Sequence, residues 1–192
     1  MQVEVSVQDC FYKSSLLEAS ELEASHQYTD QIAVETWETW FKRWLENLHP
    51  NIPPARGYEL SLRLTDDQEI QSLNSQYRKQ NKPTDVLAFA ALEVECPQPL
   101  EMRCPEGSFS MKSLPLYLGD IVISVNTANR QAQQQGHTLK TELAWLAAHG
   151  LLHLLGWDHP DEDSLTQMLN QQHILLQVVS IAVNTSENRM NG

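Results

Sequence analysis

His149, His153 and His159 lie within eleven residues in the segment HGLLHLLGWDH. The first two are four apart, so on a helix their rings share one face, one turn apart, and both reach a single ion. Gly156 breaks that helix, and His159, six residues beyond His153, can return to a third corner. Three imidazole nitrogens leave the fourth tetrahedral position of one Zn2+ ion open for water, as in a catalytic rather than a closed structural site. The competing reading is three core or surface histidines without a metal. A lone His would favour that reading; three at this spacing around a helix-breaking Gly favour the metal. His26, His49, His137 and His173 lack such spacing and read as ordinary.

The residue after the first His is also informative. Zinc proteases of the HExxH type carry a Glu there as general base; this chain has Gly150. Gly inside a helix costs about 1 kcal/mol relative to Ala, so the space has a use. Either the helix packs closely on a sheet or neighbour, or a substrate needs room beside the metal. Three neutral imidazoles leave the ion its full double charge, which suits an anionic substrate such as a phosphodiester, although three-His sites also serve neutral substrates. Zinc acidifies water to near pH 7 without a Glu.

The elements that must position these residues follow from periodicity. Val3, Val5 and Val7 alternate with polar residues, as do Leu60, Leu62 and Leu64, giving two strands. A helix is expected from Thr29 or Asp30 to Leu48, with Trp37, Trp40, Phe41, Trp44, Leu45 and Leu48 on one face as core. Pro50, Pro53 and Pro54 end it. Thr65 or Asp66 caps a helix to about Gln76. Val86–Ala90 and Leu118–Val125 read as strands, and Asn126 or Thr127 caps a helix stopped by Gly136. Thr138 or Thr141 opens the histidine helix, which Gly156 ends. A last helix starts at Pro160, with Asp161, Glu162 and Asp163 in its first turn, and runs to about Val183. The acidic stretch 13–29 and the Pro-rich stretch 93–117 read as loops or insertions, and 184–192 as a flexible tail. The fold class is α/β (α+β): a small mixed sheet of about four strands covered by helices, with a metzincin-like zinc helix, in one domain over 1–192.

Composition agrees. A chain of 192 residues is long enough to bury a core without a disulfide or metal. The balance of 13 Lys+Arg against 25 Asp+Glu, net −12, excludes a protein that coats nucleic acid with a general positive charge, but not one basic cleft. Cys10, Cys96 and Cys104 are too few and odd in number for a disulfide scaffold and suggest unpaired thiols in a reducing compartment. The N-terminus carries no signal-peptide pattern and no stretch is apolar enough to span a membrane, so the expected location is cytoplasmic.

HGLLHLLGWDH closely resembles the H-G-x-L-H-L-x-G-x-D-H signature of the YbeY family of metal-dependent endoribonucleases. Asn74-Ser75-Gln76-Tyr77-Arg78, followed by Lys82-Pro83-Thr84-Asp85-Val86-Leu87-Ala88-Phe89, is similar to that family's NxxYR…PTDVLSF segment, with Ala88 in place of the usual Ser. Leu118–Ser124 matches its LGDIxIS strand. The resemblance covers roughly residues 58–92 and 117–160, and the three motifs in this order are highly specific. It implies zinc on His149, His153 and His159, an active-site role for Arg78, single-stranded RNA as substrate, and rRNA maturation (16S rRNA processing) near the small ribosomal subunit or its proteins.

Read from the sequence alone, Arg78, beside Lys79 and near Lys82, is a solvated cation at a helix end; the resemblance favours a guanidinium that grips a phosphate. Asp85 and Asp120 read either as partners that orient a histidine or as turn and cap residues. Asp158 has three roles open: cap, ligand orienter or proton carrier. The expected activity is a single-strand-selective, zinc-dependent endoribonuclease. The alternatives are a metzincin-like metalloprotease, against which Gly150 counts, and a non-enzymatic ribosome-assembly factor with a structural metal.

Overall fold

The computed structural model describes residues 1–12, 31–50, 52–53, 55–93 and 114–182. The expectations for 13–29, for most of 93–117 and for the tail therefore lie outside the described residues, as do Cys96, Cys104, His26 and Pro54.

Alternating apolar residues build a four-stranded sheet of β1 (Val3–Asp9), β2 (Tyr58–Thr65), β3 (Val86–Ala90) and β4 (Leu116–Ser124). The order is β1-β2-β4-β3; β1, β2 and β4 are parallel, and β3 pairs antiparallel with β4 on the edge. The sheet is mixed, as expected. β4 starts two residues earlier than the sequence pattern suggests and ends at Ser124. Its inward residues change parity, from Leu118 to Ile121 and Ile123, because the register shifts opposite Glu59/Leu60. Gly119 absorbs the shift at φ +137°. A Cβ there would sit 2.1 Å from the carbonyl oxygen of Phe89 and 2.9 Å from Leu154 Cδ2, so any side chain would clash.

Among the described residues, five helices longer than two turns follow in chain order: α1 (Val34–Leu48), α2 (Asp67–Arg78), α3 (Val125–Gln135), α4 (Leu139–Leu154) and α5 (Glu162–Val178). α1, α4 and α5 build the main core over one face of the sheet. Trp37, Phe41, Trp44 and Leu45 of α1 are fully buried there, and Trp44 Nε1 donates to Leu175 O of α5 at 2.8 Å. Each such side chain contributes roughly 1.5–3 kcal/mol through burial. α2 covers only the β3–β4 half of the other face, through Ile70 against Leu87 and Val122.

Several boundaries differ from the sequence expectation. α1 starts at Val34 rather than Thr29 or Asp30: Ile32 is drawn into the core and Ala33 is extended at ψ 148°, which holds off the first turn. α2 is capped by Asp66, which accepts from Glu69 N, and runs on to Arg78. α3 is capped by Ser124, not by Asn126 or Thr127. Those two face Asp67 instead: Asn126 Oδ1 accepts from Asp67 N, and Thr127 donates to the Asp67 carboxylate. α5 begins after Asp161, one of a capping-box pair with Ser164, and stops at Val178. Its apolar run continues, but Ser180 turns left-handed at φ 61° while Ile181 N bonds back to Leu176 O, closing the helix early.

Candidate metal centre

Twelve of the sixteen residues of α4 are buried, so packing on several sides fixes its rotation. Thr138 caps its start. On the sheet side it presents Gly150, where a Cβ would lie 2.7 Å from Ile121 Cγ2. This decides between the two uses of that glycine: the space lets the helix lie directly on β4 and is not room for a substrate. His149 and His153 project from the flank of α4, with ring centroids 4.6 Å apart. Gly156 takes φ +84°, open to a residue without Cβ, and Trp157 N returns to Leu152 O at 3.0 Å. The chain folds back at that turn. His159 arrives 5.6 Å from the His149 ring and 5.3 Å from the His153 ring, centroid to centroid.

One nitrogen from each ring lies within 4.8 Å of the other two. Nε2 of His149 and Nε2 of His153 are 3.0 Å apart. A tetrahedral zinc about 2.0–2.1 Å from each ligand sets nitrogens about 3.3 Å apart, so the trio needs only small ring movements to hold it. Among the described residues the cluster includes no carboxylate or thiolate.

The protonation states suit ligation. Burial pushes His149 down to about 4, reinforced by His153 beside it, while the bond to Gln172 opposes the shift. Burial also lowers His153, with His159 next and Arg78 among the smaller contributions. Both rings are therefore neutral at pH 7. His149 Nδ1 donates to Gln172 Oε1 at 3.2 Å, and Gln172 Nε2 donates on to Trp145 O at 3.4 Å. With Nδ1 carrying the proton, the Nε2 lone pair points at the other rings. Sequence reasoning missed Gln172. Its signal was a polar residue at buried spacing in α5, between Met168 and Leu175–Leu176, and it is fully buried.

The carboxylates considered as ring partners do other work. Asp85 accepts from Val86 N and Thr84 Oγ1 on one oxygen and from Gln131 Nε2 on the other, and reaches His149 only through its charge. Asp120 accepts from Tyr117 OH. Asp158 Oδ1 accepts from the backbone N of His159 at 2.8 Å, so it shapes the turn that delivers the third ring. Among the other histidines, His137 pairs with Glu142 in a buried contact at the start of α4, and His173 meets Trp145 edge to face at 5.0 Å. His49 caps α1 in a left-handed conformation.

Arg78 ends α2 and is exposed, and its charge is the smallest of the influences on His153. Asn74, buried one turn earlier, donates from Nδ2 to Lys82 O at 2.8 Å and accepts on its backbone oxygen from Gln80 N, tying down the loop that follows Arg78. Among the described residues no helix is long and apolar enough to cross a membrane.

Comparison with known proteins gives the family of the chain. The family model described as Endoribonuclease YbeY matches residues 23–180. The chain is 59% identical over 186 residues to the endoribonuclease YbeY of Nostoc sp., covering 97% of this chain and 95% of that one. It is 60% identical over 184 residues to the Trichormus variabilis protein of the same name, covering 96% and 98%. With the Acaryochloris marina protein it shares 48% over 190 residues, covering 97% and 100%. With a family model spanning most of the chain and near-full-length relatives this similar, the chain belongs to the YbeY endoribonuclease family.

Proposed function

We propose that this chain is a single-strand-selective, zinc-dependent endoribonuclease that acts in rRNA maturation in the cytoplasm, near the small ribosomal subunit, with residues 1–192 as one hydrolase domain. The carrying observation is the trio of imidazole nitrogens within 4.8 Å, without a carboxylate among the described residues. On this reading His149, His153 and His159 hold the ion, which supplies Lewis acidity toward a phosphoryl oxygen and acidifies water. Gln172 keeps His149 in the tautomer that ligates. Arg78, an exposed and permanently charged fork, holds the phosphate and neutralises charge that gathers on it in the transition state. Selectivity for unpaired RNA follows where bases can be splayed out, which an A-form duplex prevents.

Wild type and His153→Ala are incubated with single-stranded RNA, duplex RNA and casein, and the metal content of the same preparations is measured. The expected result is zinc and single-strand cleavage in the wild type, and loss of both in the variant with its helical circular dichroism kept. Equal RNA cleavage by both proteins would defeat the proposal. Casein cleavage lost together with the metal would make the protein a protease. Unfolding on metal loss without any cleavage by the wild type would make the metal structural.

A further inference from the structure

Tyr77 is the most exposed aromatic side chain among the described residues, at 58%. Its ring is not loose. It meets Phe89 edge to face, with centroids 5.0 Å apart and planes at 69°. Phe89 is half-buried on the second small core under α2, which makes it a fixed support. Arg78 follows directly, and Lys79 and Lys82 are exposed within five residues of it, so this segment concentrates cations on a chain of net charge −12. Tyr117, another exposed aromatic, differs: its hydroxyl is bonded to the Asp120 carboxylate, a poor neighbour for a polyanion.

Tyr77 is also tied to the metal helix. The support residue Phe89 places its carbonyl oxygen against Gly119, and Leu154, next to the ligand His153, packs on the same glycine. Both helices thus reach edge strand β3 near its C-terminal end: Tyr77 of α2 packs on Phe89, and Leu154 of α4 lies beside Gly119, the partner of Ala90. A rigid, exposed aromatic face among cations is what binds unpaired bases: every base has a π-face, and the cations hold the backbone.

We propose that Tyr77 is a base-stacking platform that holds one unpaired nucleotide beside the metal centre and so sets the preference for single-stranded RNA. The assignment rests on the endoribonuclease reading and goes beyond it by naming a specificity-determining residue. A paired base in a duplex cannot present its face to the ring, so the contact is available only to single strands.

Initial rates on single-stranded RNA are measured for zinc-loaded wild type, Tyr77→Ala and Tyr77→Phe. Alongside, each protein is mixed with a single-stranded 2′-deoxy oligonucleotide carrying 2-aminopurine, whose fluorescence is quenched by stacking. Tyr77→Ala is expected to raise KM about tenfold, the loss falling on KM rather than kcat. Tyr77→Phe, which keeps the ring, restores the wild-type KM. The quench seen with wild type disappears with Tyr77→Ala. A single abasic nucleotide moved along the RNA should at one position weaken wild type about tenfold and leave Tyr77→Ala unaffected. An unchanged KM in Tyr77→Ala, or abasic losses equal in both proteins at every position, would overturn the platform. If wild type cuts no RNA at all, the endoribonuclease reading fails, and the quench alone decides: its loss in Tyr77→Ala supports stacking, and its absence in wild type overturns it.

Discussion

The two ends of this site are built on opposite plans. His149 and His153 stand on α4, buried along twelve of its sixteen residues, and the turn after it brings in His159. Arg78 and Tyr77 stand at the end of α2, which buries only Ile70 and Asn74 of its twelve. Rotating α4 by a fraction of a turn would unpack Gly150 from Ile121 and Leu154 from Gly119; moving the Arg78 side chain disturbs no core contact. A metal ion tolerates ligand errors of a few tenths of an ångström, so its ligands need a rigid frame. At the α2 end the exposed Arg78 can adjust to a flexible polyanion, while Tyr77 is held only by its contact with Phe89 at the surface. The comparison predicts that perturbing the α4 end changes stability and metal affinity, while perturbing the α2 end changes only the handling of substrate.

The largest expected effect is of pH on metal-stripped protein. His149 is held at about 4 when folded, by burial first and by His153 next, against about 6.5 in an unfolded chain. Above pH 6.5 both states carry a neutral ring and nothing is lost. As pH falls from 6.5 to 4 the unfolded chain takes up a proton that the folded chain refuses, and stability falls by at most about 3 kcal/mol before levelling off below pH 4. Urea midpoints at pH 7.5, 5.5 and 4.5 should therefore drop more steeply in wild type than in His149→Gln, which has no ring to protonate. Parallel slopes would show that the frame around His149 does not exclude charge. Zinc-loaded wild type should start from a higher midpoint and fall more steeply still, since protons then compete with the ion for the rings.

A smaller effect is expected on the ring that Gln172 holds. Gln172→Leu keeps the volume but leaves His149 Nδ1 without its acceptor. Loss of such a partner typically weakens metal affinity 10–100-fold. Competition with a chromophoric chelator measures it, and an unchanged affinity would mean that α4 alone orients the ring.

How far the sequence revealed this design follows the same division. The i,i+4 histidines, the breaking Gly156 and the returning His159 were legible because helix geometry is local and periodic. The strand and helix order was legible for that reason too. What stayed hidden depends on contacts between segments distant in sequence. Gln172 is 23 residues from His149, and only the packing of α5 on α4 brings them together. The capping of α3 went to Ser124 because Asp67, 57 residues away, engages that serine together with Asn126 and Thr127. The purpose of Gly150 could be narrowed to two uses but not decided, because Ile121 lies on a strand whose register is shifted at Gly119.

The smallest effect, and the sharpest for the comparison, belongs to Arg78. The residue is exposed and joins no ion pair among the described residues. Its removal leaves no buried charge unpaired and opens no cavity. Arg78→Ala should therefore keep the zinc content and the thermal midpoint of wild type. It also relieves His153 of one repelling cation, so the metal should bind no more weakly than before. The rate of RNA cleavage should nevertheless fall at least tenfold, the size expected when one charge-assisted contact to a transition-state phosphate is lost. Arg78→Lys, which keeps the charge but not the fork, should recover part of that loss. If kcat/KM is unchanged in Arg78→Ala, the arginine is a cation at a helix end, and catalysis rests on the rigid half of the site alone. If instead zinc is lost, the two halves are mechanically joined and the contrast between them fails.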